Sequence, residues 1–266
     1  KETGGAKIYE DYRRLIDKAG VQAVSICTPP VAHEEAAIYA LEHGVHVLCE
    51  KPMAYDISSA HRIRAAAKAS SALFMPAFRH RFLPAVLAFK RLVSSGRIGD
   101  VVLFNNIFCG PAFQMEGRWF TQKKIAGGGS LLDTNSHSVD LFRFIVGEIT
   151  EQKAVMHRHF RTTDVEDAGI LSVKAESGAI GTMQSSFVAG SGMALIDIIG
   201  NKGRAVYDYT DPERLRWRLT QDTAWNEEIA HFLGAVRGEH PLSCTVEDGV
   251  RCMEVICNVY DNGGEI

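Results

Sequence analysis

The segment Gly127-Gly128-Gly129-Ser130-Leu131-Leu132-Asp133-Thr134-Asn135-Ser136-His137-Ser138-Val139-Asp140 gathers the side chains best suited to proton chemistry. If one helix starts after the glycines, Asp133 and His137 stand at i and i+4 and Asp140 at i+7, all on one face. An imidazole titrates near neutrality, and a neighbouring carboxylate can orient it or stabilise its cation, so the pair suits general acid-base work. Three glycines permit a substrate or a second backbone to come close. Leu131, Leu132, Val139, Phe142 and Val146 would anchor the opposite side to a core. The same pattern also describes a solvated helix face, and both readings stand on this segment alone. As metal ligands, Asp133 and His137 would need a further donor; no second cluster of His, Cys, Asp or Glu has matching spacing, so no metal is expected.

Two further loops could hold chemistry. Thr28-Pro29-Pro30 and Glu50-Lys51-Pro52 each close a short apolar run, and their prolines hold the chain extended. Glu50 and Lys51 put opposite charges where a ligand could lie, or are solvated loop charges. His33 follows the first loop and either contacts such a ligand or caps the next helix. His43 and His46 straddle Gly44 at a spacing wrong for two ligands on one helix and read as structural.

The elements that must position these residues follow from periodicity. Asp11 to Ala19 is helical, Val21 to Cys27 an apolar run, His33 to His43 helical and Val45 to Cys49 apolar. Asp56 caps a helix through Ser70, and Leu73 to Met75 is a third apolar run before Pro76. Short apolar strands alternating with helices indicate parallel strands buried on both faces, half of a doubly wound α/β unit. In such sheets ligands gather beyond the carboxyl ends of the strands, where both loops fall.

The pattern changes near Ala77 or Phe78. A helix from Pro84 to Ser95 has proline at its first position and Gly96 after its end. Apolar runs follow at Val101 to Phe108, Gln152 to Phe160, Ala168 to Ala175, Ala179 to Val188, Ala194 to Ile199 and Arg204 to Tyr209. Short turns between successive runs predict antiparallel pairing, hence an α+β unit with a broad sheet. Helices at Asn226 to Arg237 and after Thr245, with Asp248 as its capping-box partner, close the chain.

The 266 residues are 46% hydrophobic and 23% charged with formal net charge −3. That balance gives no electrostatic reason for a nucleic-acid or membrane partner. No apolar run approaches the ~20 residues of a membrane span. The six cysteines lack zinc-knuckle or redox-pair spacing, so free thiols and a cytoplasmic setting are expected. Nucleophile-elbow and P-loop motifs are missing.

Taken together, VSICTPPVAHEEAAIYALEHGVHVLCEKPMA (24 to 54), FRHRFLP (78 to 84), SSGRIGDVV (94 to 102) and GGGSLLDTNSHSVDLFRFIVGE (127 to 148) resemble the Gfo/Idh/MocA family of oxidoreductases. The resemblance implies a fold of class α/β: a partial Rossmann domain over 1–77, then an α+β domain over 78–266 with a large, mostly antiparallel sheet. It implies NAD or NADP as cofactor and hydride transfer at a secondary alcohol or ketone of a sugar, cyclitol or related polyol. By the same resemblance Lys51 positions substrate and favours a developing alkoxide, His137 is the general base, and Asp133 orients it or relays the proton. Thr28, Pro29, Pro30, His33, Glu50 and Lys51 fall on cofactor-lining positions; Arg81 faces the substrate pocket and Trp119 forms part of its wall. A homodimer or homotetramer is implied. The first strand, Gly-rich turn and ribose-reading acid of the family are expected upstream of Lys1. Without them, the alternative is a non-catalytic remnant that binds a ligand or partner. Arg79 and the short link from Leu219 to Asn226 depart from the family pattern.

Overall fold

The computed structural model describes residues 7–111, 117–159, 162–209 and 224–261. Its first sheet has three parallel strands, β1 (Ala23–Ile26), β2 (His46–Cys49) and β3 (Phe74–Pro76), in the order β1-β2-β3. Most of β2 and all of β3 are buried, as expected of strands covered on both faces. Helices α1 (Tyr12–Ala19), α2 (His33–Glu42) and α3 (Ile57–Ala69) lie between and before them. The Asp56 carboxylate accepts from Ser59 N at 2.7 Å, the cap the sequence predicts, and that of Asp11, expected inside the helix, instead caps it by accepting from Arg13 N at 2.8 Å. Parallel strands joined through helices leave the loops after β1 and β2 at one edge of the sheet.

After α4 (Pro84–Ser94) comes β4 (Val101–Pro111), then the short helices α5 (Lys123–Ala126) and α6 (Ser130–Asp133), and α7 (Asn135–Ile145). Strands β5 (Ile149–His157), β6 (Ala168–Ala175), β7 (Ile180–Ser186), β8 (Val188–Gly200) and β9 (Arg204–Asp208) complete a second sheet in the order β5-β6-β7-β4-β8-β9. One pairing departs from the predicted antiparallel pattern: β4 and β7 are parallel. The chain leaves β4 through three helices and re-enters at the sheet edge as β5, so two hairpins later β7 arrives running in β4's direction. Strand β8 also starts six residues before the predicted run, because Val188 and Met193 pair with Pro111 and Cys109 although Gly190 and Gly192 interrupt the apolar pattern. The run expected to end at Phe160 ends within the described residues at His157, and most of the link from Leu219 to Asn226 lies outside them.

One face of this sheet carries α7. Phe142 packs edge-on against Phe104 with ring centroids 5.3 Å apart, and a Cβ at Gly181 would meet that ring at 2.7 Å. Burying such aromatic faces supplies the largest apolar contributions available to a sheet-helix layer. The other face mixes apolar and charged side chains: Val155, Ile170, Ile180 and Leu103 are exposed on it beside the Lys174–Glu151 and Arg204–Asp197 ion pairs. Helices α8 (Ala224–Val236) and α9 (Val246–Asp261) follow. Gly249 of α9 presses on Met53 and Pro76 from the first sheet's side, joining the two layers' cores.

Candidate active site

Lys51 leaves the carboxyl end of β2 across a cis peptide to Pro52, and its ammonium reaches into the second layer. Nζ donates to the Asp133 carboxylate at 2.7 Å and to the Asp133 carbonyl at 2.9 Å. Glu50 accepts from the Lys51 amide at 3.2 Å, and burial raises its carboxyl above the ordinary value although the Lys51 charge and amide pull it down. Asp133 ends α6 and His137 lies in the first turn of α7. The predicted single helix is divided at Thr134, whose backbone stays in the right-handed helical region.

The His137 ring is partly exposed, yet its Nδ1 is buried and has no hydrogen-bond partner among the described residues. Burial, then the nearby His80, Lys51 and Arg79, hold the imidazole neutral well below its usual titration range. Its neighbours are Phe78, edge-on at 6.3 Å, and His80, at 4.4 Å between ring centroids. A cation braced by a carboxylate thus stands near an uncharged imidazole, an arrangement that can stabilise an oxyanion and accept a proton.

The glycines serve a second backbone. A Cβ on Gly127, whose φ is +85°, would lie 2.1 Å from the Tyr55 carbonyl oxygen, and one on Gly129 would lie 1.8 Å from that of Glu166. The Glu166 carboxylate accepts from the Gly129 amide at 3.0 Å and the Leu131 amide at 3.0 Å, and from the Tyr260 hydroxyl at 2.6 Å. It satisfies the open N–H groups where α6 begins, as a cap does, from a distant segment.

Not every expected residue faces the cleft. His33 is fully buried, with Nε2 2.7 Å from the Thr28 carbonyl and Nδ1 3.0 Å from the Pro52 carbonyl. It ties the two loops together instead of touching a ligand, while burial lowers its pKa. Pro30 is buried too, leaving Thr28 and Pro29 as the accessible lip of the first loop. Arg81, 4% exposed, spends its guanidinium on Asp140 at 2.5–3.0 Å and on the Ser243 carbonyl at 2.6 Å. Arg81, expected to face the substrate pocket, is held in a buried ion pair that engages the Asp140 carboxylate. Trp119 is 39% exposed on a short 3-10 turn before α5, and α5 packs on the turn at Pro30–Ala32.

Three residues escape sequence reasoning. His80 hides between two arginines in a linker turn, and its Nδ1 lies 2.8 Å from the Tyr209 hydroxyl. Tyr209 follows β9 and gives no local signal. Glu228 is buried with Oε1 unpartnered among the described residues, its carboxyl pushed up to about 8 by burial and by Glu50. It did leave a trace: it sits four residues from both Ala224 and Phe232, on α8's buried stripe.

Comparison with known proteins supplies the family. Residues 1–78 match the description "Oxidoreductase family, NAD-binding Rossmann fold", and residues 86–206 match "GFO/IDH/MocA C-terminal domain". The chain is 28% identical over 244 residues to levoglucosan dehydrogenase of Pseudarthrobacter phenanthrenivorans, covering 80% of this chain and 62% of that protein. It is 26% identical to myo-inositol 2-dehydrogenase of Thermotoga maritima, covering 94% and 79%. The chain thus spans between three fifths and four fifths of these relatives' lengths. Among solved structures, GenD2 from gentamicin A biosynthesis in complex with NAD superimposes with a TM-score of 0.89 at 23% identity, over 97% of this chain and 80% of that one. That likeness concerns the fold. With the two family matches covering both sheets in order, the chain belongs to the Gfo/Idh/MocA family of oxidoreductases.

Proposed function

We propose that the chain is an NAD-dependent oxidoreductase that moves a hydride between the nicotinamide and a secondary alcohol or ketone of a sugar, cyclitol or related polyol. The observation that carries this reading is the Lys51 ammonium on the Asp133 carboxylate at 2.7 Å, beside a neutral imidazole, at the carboxyl edge of an NAD-binding family's parallel sheet.

The donor set fits the reactive end of that cofactor. Thr28 and Pro29 offer an accessible lip beside it, and Glu50 and Lys51 lie at the next strand end. Bound NAD supplies the hydride acceptor. The chain's own residues do the rest: Lys51 hydrogen-bonds the reacting oxygen and favours its negative charge, Asp133 holds Lys51, and His137 takes the hydroxyl proton at Nε2, the nitrogen opposite its buried Nδ1. Trp119 contributes to the pocket wall. Residues through 77 form the cofactor unit and 78–266 the substrate unit, a division that leaves the reacting carbon in the cleft between them.

Two coarser features join this reading. The exposed apolar side chains Val155, Ile170, Ile180 and Leu103 on the second sheet suit a second copy of the chain, giving a homodimer or homotetramer. All six cysteines are free thiols, in keeping with a cytoplasmic compartment.

The test uses the chain with NAD and a panel of sugars and cyclitols, following NADH absorbance. Lys51→Met and His137→Asn are each expected to lower kcat on an identified substrate by about 10²-fold or more. Wild-type turnover in both variants would overturn the assigned roles.

A further inference from the structure

Three successive amides, those of Gly129, Ser130 and Leu131, all donate to one residue, Glu166. The Gly129 amide lies 3.0 Å from Oε2 and 3.1 Å from Oε1, the Leu131 amide 3.0 Å from Oε1, and the Ser130 amide 3.0 Å from the Glu166 carbonyl oxygen. The Gly129 carbonyl in turn accepts from the Asp133 amide at 2.8 Å, so the residue that Glu166 clamps is bonded directly to the residue that holds Lys51. Resting on the reading that Lys51 and Asp133 serve the reacting oxygen, we propose that Glu166, itself held by Tyr260, is the positioning residue that sets where this pair stands.

Asp133 offers Lys51 Nζ two acceptors, its carboxylate at 2.7 Å and its carbonyl at 2.9 Å. Because the carbonyl belongs to the main chain, a tilt of the α6 turn carries both acceptors away together, and no rotamer of Asp133 restores the second. A misplacement of about 1 Å in a reacting group costs on the order of 10²-fold in rate. The Ser136 hydroxyl also donates to the Asp133 carbonyl, at 2.9 Å, but it belongs to the next helical turn and moves with it. Glu166 comes from a separate segment, two residues before β6, and so fixes the turn against the second sheet.

Tyr260 supplies the outer reference. Its hydroxyl donates to Glu166 Oε1 at 2.6 Å and lies against Gly128, where a Cβ would meet the hydroxyl oxygen at 2.5 Å. Tyr260 and Gly249 stand three turns apart on one face of α9, and Gly249 presses on Met53, two residues beyond Lys51. One helix thus locates both partners, the Lys51 loop through Gly249 and Asp133 through Tyr260 and Glu166. The clamp requires acceptors at both carboxylate oxygens, since Gly129, Leu131 and Tyr260 each bring a hydrogen. A carboxamide that keeps its oxygen on Leu131 and Tyr260 turns an N–H donor toward the Gly129 amide.

Two measurements test it. In turnover, Glu166→Gln is expected to lower kcat about tenfold or more with a smaller change in KM, yet to cost less than about twofold further when added to Asp133→Asn. An equal loss in both backgrounds is the additivity of a general structural defect and overturns the proposal. The second readout needs no substrate. Acetic anhydride labelling of the resting chain, quantified by peptide mass spectrometry, is expected to acylate Lys51 at least about threefold faster in Glu166→Gln, with the exposed Lys18 unchanged. Unaltered Lys51 labelling overturns the clamp. Tyr260→Phe, which keeps the ring, is expected to move kcat and Lys51 labelling in the same directions by smaller factors, and it carries the test if Glu166→Gln does not fold; wild-type values of both would sink the idea. Faster Lys51 labelling in a chain that oxidises none of the panel supports the clamp and locates the failure in the proposed activity.

Discussion

Glu228 shows what a single buried carboxyl does to the whole chain's pH response. Its acid is pushed up to about 8 against an ordinary 4.5, chiefly by burial and then by Glu50. Between those values the folded chain holds a proton that the unfolded chain has released, so stability falls as pH rises through that window. Glu228→Gln removes this contribution. The variant is expected to match wild type near pH 4.5 and to exceed it by a few kcal/mol near pH 8, read as a gap between the two Tm-against-pH curves. Identical curves would show that Glu228 ionises freely. At this scale the sequence was informative where chemistry is local. Lys51, Asp133 and His137 were legible because each sits at a strand end or helix start with a recognisable neighbourhood. His80, Tyr209 and Glu228 were not, because their significance comes from partners 57, 129 and 178 positions away in the chain or more, across contacts that no periodicity encodes.

Helices and strands were the most legible level. The carboxylate cap at Asp56 and the proline start of α4 fell where expected, since each is decided by a few adjacent residues. The break at Thr134 was not foreseen, because Ser130 to Ile145 is helical in period throughout; Glu166 and Tyr55, both remote, fix the start of that stretch. Arg81 and Asp140 make the same point with a measurable consequence. They link the linker turn to α7 as a buried pair, so Asp140→Asn is expected to destabilise the chain by about 3–5 kcal/mol in denaturant unfolding. Replacing both, as Arg81→Met with Asp140→Leu, is expected to recover much of that loss. A double variant as unstable as the single one would mean that the guanidinium's bond to Ser243 carries the stability.

For the molecule as a whole, the parallel β4–β7 pairing gives a six-stranded sheet with one face against α7 and one bare. Val155, 78% exposed, lies opposite Ile170 in the β5–β6 register, near the sheet edge. If two copies meet face to face there, Val155→Asp and Ile170→Lys are each expected to weaken self-association about tenfold to a hundredfold, because each withdraws ~1.5–3 kcal/mol of apolar burial. Sedimentation of both variants at wild-type mass would exclude this face as the contact. The glycine loop has a further consequence at the same scale. The Gly127 backbone rests on the Tyr55 carbonyl, four residues from Lys51, and Gly129 rests on Glu166. Cofactor-side and substrate-side machinery are thus keyed to each other where the Gly127 main chain meets the Tyr55 carbonyl, beside the Lys51–Asp133 pair. On the proposed reading, changes in selectivity accumulate in the outer walls, where Trp119 is proposed to lie, while the spacing of the reacting groups stays fixed: selectivity is free to drift on a chassis that is not.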